Sequence, residues 1–308
     1  MADANVVSGL SAYVEEQRYP LLRKAILEGD SIRKMVPQLG IKTSAKINYI
    51  STDADFQDGS SCGFSPSGST EYTQREIETG VIKEEMEWCF KSLWGKYLEN
   101  QYRVQADPQA MPFENEITGE LVAKINKKLE KAVWQGDKSS DNANLNKFDG
   151  LLTILAAESA STVNVTGLTT ADTVYDAIKA VILAIPEELL EKDVEVMVSP
   201  EAYRDFAMEL VEKNYYHYDP QNGAVTDAGF LFPGTNIRVV KVQGLAGTKA
   251  IVATYWKNLY YGADLLGEEE RFRLWYDEED EMFRFRALWN SGVQVAFPDE
   301  VVIAEMAE

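Results

Sequence analysis

The chain has 308 residues, 45% of them hydrophobic, enough to bury one substantial core or two smaller ones. Its 50 acidic residues against 30 basic ones give a net charge of −20, which excludes a protein that binds nucleic acid over its whole surface, because phosphate contact needs clustered Lys and Arg. Two cysteines (Cys62 and Cys89), a start without a basic leader, and apolar runs too short to cross a bilayer point to a reducing cytoplasm.

Residues 1–46 read as a helical arm that lacks a core of its own. Ser11 to Leu27 carries Tyr13, Val14, Leu21, Leu22, Ile26 and Leu27 and is interrupted at Pro20. Gly29-Asp30-Ser31 breaks the pattern, and Ile32, Met35 and Val36 make a short helical turn before Pro37. Such pieces must lie on the body of the protein or on a neighbouring subunit. Ile47 to Thr52 then alternates like a strand, Asp53 to Gly68 is a polar Gly/Ser-rich tip, and a second strand follows from Thr70. Tyr72, Gln74, Glu76 and Glu78 fall on one side of it, and Thr73, Arg75, Ile77 and Thr79 on the other. This predicts a long projecting hairpin over 47–84 without a buried face, held by something outside the subunit. Between Val81 and Pro112, the spacing of Met86, Phe90, Leu93, Trp94 and Leu98 predicts short helices.

From Pro112 the pattern is a long amphipathic helix. Ile117, Leu121, Ile125, Leu129 and Val133 recur every four residues, joined by Val122 and Trp134. Glu114, Glu116 and Glu120 precede Lys124, Lys127, Lys128 and Lys131, the charge order that the helix dipole favours. Gly136-Asp137 ends the helix, and a polar loop leads to Phe148-Asp149-Gly150-Leu151-Leu152, a strand-like run.

Residues 161–264 read as an inserted α/β lobe. Thr170 to Ile185 is an amphipathic helix, and Val194 to Val198 a strand. Ser199-Pro200 is a strong helix start, a capping hydroxyl followed by proline, and the helix after it places Tyr203, Phe206, Ala207, Leu210 and Val211 on one face. Strands Ile237 to Val242 and Ala250 to Thr254 join through Gly244-Leu245-Ala246-Gly247, a hairpin-like turn. The C-terminal segment is β-rich: Arg271 to Tyr276 and Met282 to Trp289 flank an acidic turn, and Val293 to Phe297 and Val301 to Ala304 follow. These strands must pair with earlier ones, so the first and last thirds share a sheet.

The residue patterns of catalysis are missing. The chain's one histidine, His217, cannot build the usual zinc sites, and the two cysteines stand apart without partner pairs. Gly63-Phe64-Ser65-Pro66-Ser67-Gly68 is not a nucleophile elbow, and no glycine loop for phosphate follows a strand. Acidic clusters such as Glu268-Glu269-Glu270 read as solvated faces. No catalytic, cofactor-binding or metal-binding residue is assigned, and the chain is not expected to be an enzyme.

The order of parts, helical arm, projecting hairpin, aromatic segment, long helix and α/β lobe, resembles the major capsid proteins of tailed bacteriophages, the Hong Kong 97-type fold. Trp134-Gln135-Gly136-Asp137 with Phe148-Asp149-Gly150-Leu151 carries the resemblance, as do Val196-Met197-Val198-Ser199-Pro200-Glu201-Ala202-Tyr203 and Phe56-Gln57-Asp58-Gly59 with Cys62 to Gly68 and Gln74-Arg75. It implies an α+β fold with an N-terminal arm (1–46), an extended loop (47–84), a peripheral domain around a spine helix (85–160 and 265–308) and an axial domain (161–264). It also implies a structural subunit that self-assembles through hexamers and pentamers into an icosahedral head. That head would enclose double-stranded DNA without sequence-specific binding, with a separate scaffolding protein, a portal and decoration proteins as partners and no membrane. The location implied is the virion, assembled in the host cytoplasm.

Some members of this family crosslink an extended-loop lysine to a peripheral-domain asparagine. Residues 47–82 contain no lysine, and the region near Asp280 offers Asp and Glu without asparagine, so such crosslinking is not expected. Arg271, Arg273, Arg284 and Arg286 alternate with apolar residues and would stand on one face if their strands pair. They either pair locally with Glu268 to Glu270 and the 277–280 turn, or meet the acidic extended loop (Glu71, Glu76, Glu78, beside Arg75) of a neighbour. Two rival readings are an encapsulin, a cellular nanocompartment of the same fold, and a soluble α/β enzyme with an unrecognised site.

Overall fold

The computed structural model describes residues 26–27, 29–53, 55–56, 67–89, 112–159, 162–168, 173–213, 229–264, 273–277 and 279–306. In chain order these form strands β1 (Val36–Leu39), β2 (Ser44–Asp53), β3 (Ser69–Glu78) and β4 (Gly80–Cys89), then helices α1 (Pro112–Gln135) and α2 (Leu151–Ala157). A lobe follows with β5 (Val163–Val165), α3 (Val174–Leu183), β6 (Glu195–Val198), α4 (Pro200–Glu212), β7 (Phe230–Leu231), β8 (Arg238–Lys241) and β9 (Ala250–Thr254). The last strands are β10 (Leu259–Asp264), β11 (Arg273–Asp277), β12 (Met282–Val295) and β13 (Val302–Glu305).

The body sheet is organised around β12. One edge of this strand pairs with β4 over Met282 to Ser291, and the opposite edge is shared end to end by β11 (at Met282 to Arg286) and β10 (at Asn290 to Val295). The first and last thirds of the chain therefore share a sheet, as expected. Phe283, Phe285, Ala287, Trp289, Val293 and Val295 are buried beside the α1 stripe of Leu121, Val122, Ile125, Leu129, Val133 and Trp134. Two periods, 2 on the strand and 3.6 on the helix, meet in one core.

Four expectations need correction here. Residues 81–89 are a strand rather than short helices: Ile82, Met86 and Trp88 face the core, while Val81, Lys83, Glu85 and Glu87 face out. Residues 282–295 are one strand rather than two, because both its edges are paired at Asn290 and Ser291. Leu151 to Ala157 is a helix rather than a strand, since Leu151 and Leu155, four apart, are the residues it buries. Val36 opens an edge strand instead of ending a helical turn, and Pro37 is tolerated there because an edge leaves one side of the backbone without ladder partners. The preceding residues do lie on the body: Ile26, Ile32 and Met35 are buried in the main core.

The second sheet runs β5-β13-β9-β6-β8-β7, with α3 and α4 packed on it. Thr173 caps α3, accepting from the Asp176 amide, and Ser199 caps α4, accepting from the Ala202 amide, with Pro200 at the first helical position as the sequence suggested. On α4, Phe206 and Leu210 are buried, whereas Val211 is exposed and leaves the predicted face. Because β6 separates β8 from β9, Gly244 to Gly247 is no hairpin turn. Gln243–Leu245 forms a 3-10 turn that docks on α1: Gln135 Nε2 donates to the carbonyls of Gly244 (2.5 Å) and Ala246 (3.0 Å). A Cβ on Gly244 would overlap the Trp134 indole.

The two sheets exchange strands, β10 joining the body and β13 the lobe, so two crossovers run side by side. Asn258 clamps them. Its Nδ2 donates to the Phe297 carbonyl (2.8 Å), and its Oδ1 accepts from the Phe297 amide (2.7 Å).

Candidate subunit interface

The hairpin β2–β3 is in register from Ser44↔Glu78 to Asp53↔Ser69. Its root crosses the side of the body sheet opposite α1. A Cβ on Gly262 would lie 2.8 Å from Ile77 Cδ1, and one on Gly292 would overlap the Glu78 carbonyl. Asn290 Nδ2 donates to the Lys42 carbonyl (2.9 Å) and Gln294 Nε2 to the Glu76 carbonyl (2.7 Å). The hairpin was expected to lack a buried face. At its root it has one, where Ile41, Ile47 and Ile77 form a small cluster against Tyr260.

Two of the sequence-predicted interface residues hold this root to its own subunit. Glu78 accepts from Lys138 Nζ at 2.6 Å, and the same ammonium lies 3.3 Å from Asp149, in the loop that follows α1. The Glu78 carboxylate beside it raises the Lys138 pKa. Arg75 pairs with Glu158 at the end of α2, and partial burial lowers the Arg75 pKa against the opposing pull of Asp299.

Beyond Tyr49, whose ring packs edge-on against Phe297 with centroids 4.1 Å apart, the outer half of the hairpin has no such support among the described residues. Ile50 and Tyr72 stand directly opposite each other, 60% and 55% exposed. This apolar pair is the feature that charge-based reasoning missed; its signal was the bulky pair itself at matched positions on an otherwise polar face of the hairpin. Glu76 shares their face, Glu71 points to the other side, and both are exposed.

On the outer side of the body sheet, Arg273 lies opposite Arg286, and Arg284 lies opposite Trp275. Pairing therefore brings these three arginines to one face, while Arg271 lies outside the described residues. Arg284 is engaged by Asp277 and Asp280 of the adjoining turn. Arg286 Nε donates to Glu85 on β4 at 2.8 Å, and its guanidinium lies 6.0 Å from the Trp275 ring. Hydrogen bonds from Lys83 and then Arg286 hold the Glu85 carboxyl below the usual range. Arg273 is exposed. Within the single chain, local pairing occupies Arg284 and Arg286, and Arg273 with Glu71 and Glu76 stays turned to the surroundings.

A further exposed apolar set lies on the lobe: Leu183 on α3, Leu190, and Met208 and Val211 on α4. The pocket between β4, α1 and residues 143–148, lined by Ile82, Ile125, Leu129, Phe148 and Trp289, holds about 60 Å³, which is room for water rather than for a metabolite. Among the described residues no group of three or more His, Cys, Asp or Glu is placed to hold a metal ion, and no helix is long and apolar enough to cross a membrane.

No protein-family model matches the sequence, and no curated protein matches it. Solved structures do match in fold. A chain of the satellite phage P4 procapsid, in the form that includes the size determination protein, aligns with TM-score 0.64 at 15% identity over 94% of this chain and 90% of that one. The capsid of Myoviridae phage XM1 aligns with TM-score 0.54 at 14% identity over 89% and 90%. A virus-like particle from Pyrococcus furiosus aligns with TM-score 0.50 at 13% identity over 94% and 98%. The chain has the Hong Kong 97-type capsid fold, an α+β architecture shared along nearly its whole length with these shells.

Proposed function

We propose that the chain is the structural subunit of an icosahedral head, closing through hexamers and pentamers around double-stranded DNA. The observation that carries this is the hairpin: its root is built into the subunit, while its outer half exposes Ile50 and Tyr72 with no core beneath them among the described residues. A ribbon of this kind becomes stable when a second copy covers it, and a closed symmetric shell gives every copy the same cover. In this role residues 1–46 serve as the N-terminal arm, the hairpin as the extended loop, the β12 sheet with α1 as the peripheral domain, and the β9 sheet as the axial domain. Glu71, Glu76 and Arg273 are the charged residues assigned to contacts between copies. Arg75, Glu78, Arg284 and Arg286 act through the subunit's own framework. Exposed single pairs contribute about 0–1 kcal/mol each, and repetition over a shell multiplies them. The role is structural, located in a virion assembled in the host cytoplasm, with scaffolding, portal and decoration proteins as further partners.

Negative-stain microscopy of the expressed chain tests the proposal. Closed shells, sheets or rings are expected; a stable monomer of 34.6 kDa that binds a small ligand would refute it in favour of an enzyme. The likeness to the Pyrococcus furiosus particle supports a second reading, a nanocompartment of the encapsulin kind. An enclosed cargo protein in place of DNA would decide for it.

A further inference from the structure

The side of α1 that faces away from the core carries Lys124, Lys127, Lys128 and Lys131, all exposed, with Ala123 and Glu120. Glu130, the acidic residue among them, points inward and is 3% exposed. Four lysines thus fall within two helical turns of a chain whose net charge is −20. At about 1.5 Å per residue they form a ridge roughly 10 Å long. Lys124 pairs with Glu120 (3.4 Å) and Lys128 with Glu84 (3.0 Å), whereas Lys127 and Lys131 have no acid within ion-pair distance among the described residues.

The hairpin side of the body differs in kind. There Arg75, Arg284, Arg286, Lys83 and Lys138 each meet a carboxylate of their own subunit. Among the described residues, uncompensated cations on the hairpin side, Lys42, Lys46 and Arg273, stand apart on three different segments, whereas those on the α1 side stand in one row. When subunits with two distinct faces close into a shell, one face lines the lumen.

Resting on the shell reading above, we propose that the α1 ridge binds the phosphate groups of the enclosed duplex, and that the α1 side is the lumenal face. Each lysine placed against a phosphate releases condensed counterions, giving a contact that ignores sequence and weakens steeply with salt. A few lysines per subunit bind feebly, and repetition over the lining makes the sum useful without trapping DNA at any one copy. An acidic protein segment has the same sign of charge but lacks the duplex's regular spacing of one charge per about 1.7 Å along its axis.

The test uses the full-length chain. Lys124→Gln, Lys127→Gln and Lys131→Gln are combined, glutamine matching lysine in helix propensity. Lys179→Gln, Lys241→Gln and Lys257→Gln form a control with the same change in charge at exposed lysines of the lobe side. Unassembled subunits are titrated with a 30-base-pair duplex across a salt series, and assembly is followed by microscopy. The ridge variant should still form shells while its dependence of log affinity on log salt becomes shallower by about 2.7, and the control should keep the wild-type slope. An unchanged slope in the ridge variant, an equal loss in the control, no duplex binding by the wild type, or tighter binding of polyglutamate than of duplex would each overturn the proposal. Failure of the wild type to form shells would instead remove the shell reading, which the duplex titration does not decide.

Discussion

Gly136 and Gly150 occupy a backbone crossing that leaves no room for a Cβ. One on Gly136 would lie 2.5 Å from the Phe148 carbonyl oxygen, and one on Gly150 would lie 2.5 Å from the Gly136 amide nitrogen. The Gly150 amide donates to the Gly136 carbonyl at 2.8 Å, so α1 is tied to the start of α2 at this point. Alanine at either position should lower the unfolding free energy by about 1–3 kcal/mol, measured by denaturant unfolding of the unassembled chain. Glu130 is the other telling residue. Its Oε1 accepts from the Ser31 amide (3.1 Å), its Oε2 is buried without a partner among the described residues, and Ser31 Oγ accepts from Trp134 Nε1 (3.0 Å). Burial pushes the Glu130 pKa up, against the lowering effect of Ser31, with Asp30 raising it and Lys34 lowering it. The native state then binds this proton more tightly than the unfolded chain, so stability falls as pH rises from the ordinary glutamate value to the raised one. Glu130→Gln should abolish that part of the slope in thermal melts between pH 4 and 8; an unchanged slope would mean that Glu130 is not the group responsible.

At the scale of elements, the hairpin divides into a root that belongs to its subunit and an outer half that does not. Ile50→Ser with Tyr72→Ser should leave the unfolding transition of the isolated chain within about 0.5 kcal/mol, because both side chains are exposed there, while microscopy shows shell formation lost. Lys138→Ala should act differently, loosening the hairpin root from the 137–149 loop and raising hydrogen exchange at Ile77 and Glu78 before any effect on assembly. Charge reversal at Arg284 and Arg286 is a poor probe of contacts between copies. It would set new carboxylates against Asp277, Asp280 and Glu85 and disturb the β11–β12 turn itself. Arg273→Glu avoids this, since Arg273 is exposed opposite Arg286, and it should impair assembly without altering the fold.

For the whole molecule, if the chain builds the proposed shell, the absence of lysine from residues 47–82 predicts copies held by burial and ion pairs alone. Purified particles boiled in detergent should run as 34.6 kDa monomers, and a ladder of covalent oligomers would contradict this. Strong local periodicity made much of the architecture legible in advance. The α1 stripe, the hydroxyl-proline start of α4 and the alternation in β3 each lie on one element and need no partner to be read. Residues whose meaning depends on distant contacts were not legible. β4 was misread as helical because the alternation of Ile82, Met86 and Trp88 gains its meaning only against β12, about two hundred positions away. Gly244 looked like a turn glycine until α1 was seen to press on it. Sequence by itself determined the α1 stripe, the capped start of α4 and the order of the main parts, since these follow from side-chain chemistry at short range. Only the tertiary structure decided which charges are spent inside the subunit and which remain on its surface. An ion pair is a matter of a few ångströms, and Arg286 beside Glu85 or Lys138 beside Glu78 are brought together by strand pairing and loop packing that no local pattern encodes.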